Sequence, residues 1–165
     1  MKPALLVIDV QKEYFKINPA TTASLESAIE HINEAIKFFR KKQLPVICIQ
    51  YIGKEGKPKP GDEGFETPET LNVLPFDLHI HKTYGNSFNK TPLGEKLREA
   101  GVDTVILTGY CAEYCVLSTY RGAKDIDLTP IILRGSIAGG EPENIRFVEN
   151  INELISFGAL AKVLE

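Results

Sequence analysis

Residues 104–123 read TVILTGYCAEYCVLSTYRGA, and the way this stretch divides decides the fold. Thr104 to Thr108 is β-branched or apolar throughout, too short for a helix and apolar on both faces, which is the form of a strand covered on each side. Gly109 permits a tight turn. From about Ala112 to Lys124 the period changes, with Val116, Tyr120 and Ala123 stepping along one helical face. Strand, turn and helix in immediate succession form the repeating unit of a parallel α/β sheet.

The same alternation extends outward in both directions. Strands are predicted at Ala4–Asp9, Pro45–Tyr51, Leu78–Lys82, Thr104–Tyr110, Leu128–Arg134 and Ala159–Leu164, several of them apolar on both faces (LLVI, VILT, PIIL). Between them, Leu25, Ile29, Ile32, Ile36 and Phe39 mark one stripe of a helix starting near Thr22 or Ser24. Thr91-Pro92 opens a second helix with Leu93 and Leu97 inward and Gly101 as its stop. Pro142 opens another, with Ile145, Val148, Ile151 and Ile155 inward and Gly158 at its close. The expected fold is a Rossmann-like, three-layer α/β/α arrangement around a six-stranded, mostly parallel sheet, in a single domain over residues 1–165.

Composition narrows the function. The chain of 165 residues is 43% hydrophobic and 25% charged with a net charge of -3, an ordinary globular balance without the basic footprint of a nucleic-acid binder. In MKPALLVIDV an Asp interrupts the apolar run before a signal-peptide core or membrane span could form, so a cytoplasmic protein without membrane partners is expected. Three cysteines, Cys48, Cys111 and Cys115, are too few and odd in number for a disulfide framework. Gly53 to Asp77, rich in Gly, Pro and charge, reads as a solvated loop, a lid or a subunit contact, with Phe65, Leu74 and Phe76 as its anchors if it packs.

Ligands in open α/β sheets sit beyond the carboxyl ends of the strands, and that rule selects Asp9, Lys82 and Cys115. A carboxylate at the tip of a buried strand has a raised pKa and suits proton transfer, although Asp9 could equally cap the following loop. Lys82 would favour anions beside it, or sit solvated. Cys115 falls in the first turn of a helix, where free N–H groups and the helix dipole are expected to lower a thiol pKa and can hold an oxyanion. Cys111 leaves a redox pair with Cys115 open, without C-x-x-C spacing; Cys48 reads as core. His79 and His81 share a strand face, but no ligand cluster accompanies them and no metal is expected.

Three ordered motifs, LLVIDVQKEYF, HKTYGNSFNKTPLGEKLREAGVDTVILTG and TGYCAEYCVLSTYRGA, resemble the isochorismatase-like cysteine hydrolases, which include nicotinamidases and N-carbamoylsarcosine and ureidoacrylate amidohydrolases. The resemblance covers nearly the whole chain. It implies a sheet order of 3-2-1-4-5-6, a triad of Asp9, Lys82 and Cys115, and a cis peptide between Tyr110 and Cys111 that aims the N–H groups of residues 111 and 115 at an oxyanion. It also implies a small amide or ureido substrate cleaved through a thioester, no cofactor, and a homodimer or homotetramer. Gln11, Tyr14, Tyr84 and Tyr114 are the expected substrate contacts, with further pocket residues from Gly53 to Asp77. The chain departs from the family pattern in places. The segment IQYIGKEGKPKP lacks the histidine of metal-binding nicotinamidases, Ala112 replaces a Thr, and Arg134 stands where an Asp commonly ends the fifth strand. The missing histidine argues against a metal-dependent nicotinamidase, and Ala112 and Arg134 keep open a binding or interaction protein of the same fold without catalysis.

Overall fold

The computed structural model describes Met1–Glu165. Its centre is a six-stranded sheet in the order β3-β2-β1-β4-β5-β6, built from β1 (Pro3–Ile8), β2 (Val46–Tyr51), β3 (Leu78–Lys82), β4 (Thr104–Tyr110), β5 (Thr129–Ala138) and β6 (Leu154–Ile155). Every pairing is parallel. Such strands must be covered on both faces, and β1 shows how: Ala4, Leu6 and Ile8 enter one hydrophobic cluster while Leu5 and Val7 enter the other.

Five helices supply the two outer layers. α1 (Pro19–Lys41) and α5 (Phe157–Val163) contribute Leu25, Ile29, Ile32, Ile36, Phe39 and Leu160 to one cluster. α2 (Leu93–Glu99), α3 (Leu117–Asp125) and α4 (Pro142–Ile151) contribute Leu93, Leu97, Tyr120, Ala123 and Val148 to the other. Burying an apolar side chain of this size favours folding by about 1.5–3 kcal/mol, so the stripes read from the sequence bind each helix to its face of the sheet.

The boundaries differ in places, each for a local reason. α1 begins earlier than expected because the Asn18 side chain accepts a hydrogen bond from the Thr21 N–H (2.8 Å) with Pro19 in the first turn. Ala159–Leu164, predicted as the last strand, lies mostly in α5, whose start is capped by Ser156 Oγ accepting from the Ala159 N–H (3.3 Å). The last strand is instead Leu154–Ile155, paired with Ile132 and Leu133. Ile155 is therefore a strand residue, and Ile151, expected to face inward, is exposed at the end of α4 where Asn152 becomes extended, so the stripe is Ile145 and Val148. β5 runs four residues past its predicted end, so Arg134 sits exposed within the strand and Ala138 ends it.

Gly53 to Asp77 folds down onto the protein. Phe65 is buried against the edge of His81 (centroids 5.0 Å apart), its carbonyl accepting from Gln50 Nε2 (3.0 Å). Asn33 of α1 grips the segment twice, donating to the Thr70 carbonyl and accepting from the Asn72 N–H, both at 2.8 Å. Of the expected anchors, Phe65 packs, whereas Leu74 and Phe76 are exposed and Leu71 is buried in their place. No helix is long and apolar enough to cross a membrane.

Candidate active site

β1 and β4 lie side by side at the point where the strand order reverses, with Ile8 paired to Gly109. Loops leaving adjacent strands in opposite directions open a crevice there. Gly109 makes the approach possible: at φ +110 it adopts a conformation that L side chains rarely take, and a Cβ on it would lie 2.0 Å from the Ile8 carbonyl oxygen. Asp9, the residue after β1, is itself left-handed at φ 51, a region that Asp tolerates better than most residues.

The structure brings Asp9, Lys82 and Cys115 together. Lys82 ends β3, two strands from β1, and its long side chain reaches back so that Nζ lies 2.9 Å from Asp9 Oδ2. Both side chains are withdrawn from solvent. The ammonium also donates to the carbonyls of Tyr84 (3.0 Å) and Gly85 (3.1 Å) and stands over the Tyr51 ring, 4.9 Å from its centroid. The contact with Asp9 is an ion pair outside hydrogen-bond geometry, and neither carboxylate oxygen accepts another hydrogen bond inside the chain. Burial raises the Asp9 pKa above the ordinary carboxylate range, while the charge of Lys82 and the Cys115 thiol pull against that rise.

Asp9 and Cys115 share the lining of a cavity of about 460 Å³ whose walls carry Tyr14, Tyr51, Tyr110 and Tyr114. The Tyr14 and Tyr110 rings meet at 4.7 Å with a 30° tilt. The Tyr110–Cys111 peptide is cis. Ala112–Val116 forms a single π-helical turn before α3, and the N–H groups of Tyr114 and Val116 both return to the Cys111 carbonyl (3.1 and 3.2 Å). The Cys111 N–H makes no hydrogen bond within the chain.

The expected lowering of the Cys115 pKa is not found. The thiol is pushed up to about 12, first by burial and then by the Asp9 charge, with Lys82 opposing. Burial beside a carboxylate keeps the resting sulfur protonated, so a thiolate here requires a proton acceptor, and Asp9 is the adjacent one. Cys111 is also pushed up, by burial and by Glu113, whose Oε2 accepts from its Sγ at 3.1 Å. Cys48 is an inert core thiol raised by burial to about 12.

Among the expected substrate contacts, Tyr14 and Tyr114 line the cavity, and Gln11 and Tyr84 do not. Gln11 is buried behind the site, donating to the Tyr51 carbonyl (3.1 Å) and accepting from the Tyr51 N–H (2.8 Å), so its amide is spent on tying two strand ends together. Tyr84 points to the surface, where Lys90 Nζ donates to its hydroxyl (3.1 Å). No residue of Gly53 to Asp77 reaches the lining, and Arg134 is also absent from it. The sequence reading missed Asn18, Thr21, Tyr51 and Glu113, along with Ile17, Gly85 and Gly140. Asn18 could have been found as the cap before Pro19; Glu113, lying between the two cysteines, carried no periodic or capping signal.

His79 and His81 do not form a metal centre. His79 faces the Leu74 carbonyl and Gln50, His81 packs on Phe65, and no group of three or more His, Cys, Asp or Glu has ligating geometry.

The doubly wound parallel sheet thus brings an acid, a lysine and a thiol to its reversal point. The chain belongs to the isochorismatase family, whose isochorismatase domain matches residues 3–148. It is similar to the uncharacterized isochorismatase family protein YddQ of Bacillus subtilis (strain 168), 34% identical over 129 residues, covering 76% of this chain and 71% of that protein. The fold is also that of an isochorismatase-like hydrolase from Alkaliphilus metalliredigens, with a TM-score of 0.90 and 23% identity over 100% of both chains. N-carbamoylsarcosine amidase from Thermoplasma acidophilum aligns with a TM-score of 0.81 and 25% identity, covering 94% of this chain and 95% of that one.

Proposed function

We propose that this protein hydrolyses the C–N bond of a small amide or ureido compound through a thioester on Cys115. The observation that carries the reading is the buried Asp9–Lys82 ion pair at 2.9 Å, sharing its cavity end with a protonated thiol. Burial favours the protonated acid and the Lys82 charge opposes it, so the carboxylate is a base placed beside its proton donor. Its likeness to an enzyme named N-carbamoylsarcosine amidase points the same way.

In this mechanism Asp9 takes the Cys115 proton as sulfur attacks the carbonyl carbon. The oxyanion that forms accepts the free Cys111 N–H and the N–H of Cys115. Asp9 returns the proton to the departing nitrogen, the C–N bond breaks, and amine leaves a thioester behind. Water then gives a proton to Asp9 and attacks the same carbon. The C–S bond breaks, the acid product departs, and the proton on Asp9 restores the thiol. One carboxylate thus serves as base, acid and base again, and Lys82 balances its charge throughout.

The competing redox role for Cys111 and Cys115 has less behind it, since the Cys111 thiol is committed to Glu113. A binding role without catalysis loses one of its motives, because Arg134 does not line the cavity. Intact-protein and peptide mass spectrometry after incubation with an electrophilic amide analogue is the test. A stoichiometric adduct on Cys115, with turnover lost in Cys115→Ala, is expected. Labelling confined to Cys111, or a Cys115→Ala protein that still hydrolyses amides, overturns the assignment.

A further inference from the structure

Of the two acids in the cavity beside Cys115, Asp9 is paired with Lys82, and Glu113 forms no salt bridge. The lining holds no Lys or Arg. Lys82 stands behind that lining with its ammonium committed to Asp9 and to two backbone carbonyls. Asp9, fully buried, meets the Lys82 ammonium through Oδ2 and has no further hydrogen-bond partner. Glu113 is held in place: its Oε1 accepts from Asn144 Nδ2 (3.0 Å) and its Oε2 from Cys111 Sγ (3.1 Å). Each of its oxygens keeps a second lone pair for another donor.

The remaining walls suit a cation. Tyr14, Tyr51, Tyr110 and Tyr114 line the same space, and aromatic rings attract ammonium and guanidinium groups. Burial holds the Tyr14 and Tyr110 phenols well above their ordinary titration range, so they remain neutral donors and add no charge. A substrate carboxylate entering beside Glu113 would meet like charge, with no Lys or Arg in the lining to pair it.

We propose that the site selects small amides that carry a positive charge, with Glu113 pairing an ammonium or guanidinium group that the tyrosines enclose. The amide part of this inference rests on the hydrolase reading above; the charge preference rests on the lining alone. Glu113 sits beside Cys111, the residue whose free N–H faces the reacting oxygen in that reading, so the charged nitrogen and the carbonyl belong to one compact molecule.

The opposing interpretation makes Glu113 a tie between the π-turn and α4 through Asn144, with no ligand of its own. Three near-isosteric amides separate the two: alaninamide (ammonium), isobutyramide (neutral) and methylmalonamate (carboxylate), titrated into the protein at neutral pH by protein-observed NMR. Alaninamide should bind at least about tenfold tighter than isobutyramide, and methylmalonamate more weakly than both. Glu113→Gln keeps an acceptor for Asn144 and should bring the alaninamide-to-isobutyramide ratio close to one.

Equal binding of the first two amides, tighter binding of the carboxylate, no saturable binding of any of them, or an unchanged ratio in Glu113→Gln each overturns the proposal. The ordering in the unaltered protein decides it even if the variant does not fold. Ammonia release measured in parallel separates the two readings. The expected binding order without hydrolysis of any amide removes the hydrolase and leaves the charge preference, whereas hydrolysis with the reverse order does the opposite.

Discussion

Lys82 Nζ lies 2.9 Å from Asp9 Oδ2 with both side chains buried, although the two residues sit on strands separated by β2. Taking two ions out of water is costly, and what compensates is their mutual attraction together with the two carbonyls that accept from Lys82. Removing either partner leaves the other uncompensated, so Asp9→Asn and Lys82→Met should each lower stability, by about 3–5 kcal/mol where no relaxation intervenes. The double variant should recover most of that loss. Urea unfolding of the four proteins in a double-mutant cycle checks it, and strictly additive single effects would show that the pair is not coupled.

The pH dependence follows from the Asp9 shift. Its pKa is raised in the folded state, so its contribution to stability is fully present below the unfolded value of 3.8 and is lost as pH rises through the folded value. The proposed chemistry needs the anion, so kcat/KM should rise across the window in which that contribution disappears. Lys82→Met removes the attraction that favours the carboxylate anion, which moves this acid limb to higher pH. Carbon-13 NMR titration of the Asp9 carboxyl reads the same displacement without turnover; a limb unmoved in the variant contradicts the electrostatic role given to Lys82.

At Gly109, substitution by Ala places a Cβ about 2 Å from the Ile8 carbonyl, with φ in a region alanine resists. β1 and β4 would have to part at the strand ends that carry Asp9 and lead to Cys115. A stability loss of about 3 kcal/mol or more is expected, read from the urea midpoint at constant m. Wild-type stability in Gly109→Ala would mean the strands approach less closely than described.

Gln11→Leu tests the residue that the sequence placed at the substrate and the structure placed behind it. Both Tyr51 backbone groups lose their partner, at about 1–3 kcal/mol for each group left buried and unsatisfied. Because Tyr51 also underlies the Lys82 ammonium, the loss should lower kcat as well as stability. A change confined to KM would return Gln11 to the substrate.

Periodic burial made most of the fold legible. The alternating cluster membership of β1 and the α1 stripe are properties of spacing, and both appear as read. Ala159–Leu164 failed because a short apolar run of alternating size fits a strand or a helix equally; the Ser156 cap and Leu160 packing decided for α5. The strand-end rule drew attention to Asp9, Lys82 and the Cys115 turn, yet it could not reach Glu113 or Asn144, which meet only when the Ala112–Val116 turn and α4 pack together.

By itself, then, the sequence determined the alternation of strand and helix, the buried faces, and which residue types stand at the strand ends, because these depend on local period and on the backbone freedom of single residues. Tertiary structure alone decided the distance between Asp9 and Lys82, the retirement of Gln11 to a strand tie, the exclusion of Gly53 to Asp77 from the cavity, and the protonation of Cys115. Those depend on burial and on charges brought together from remote parts of the chain, and neither quantity exists until the sheet has closed around them.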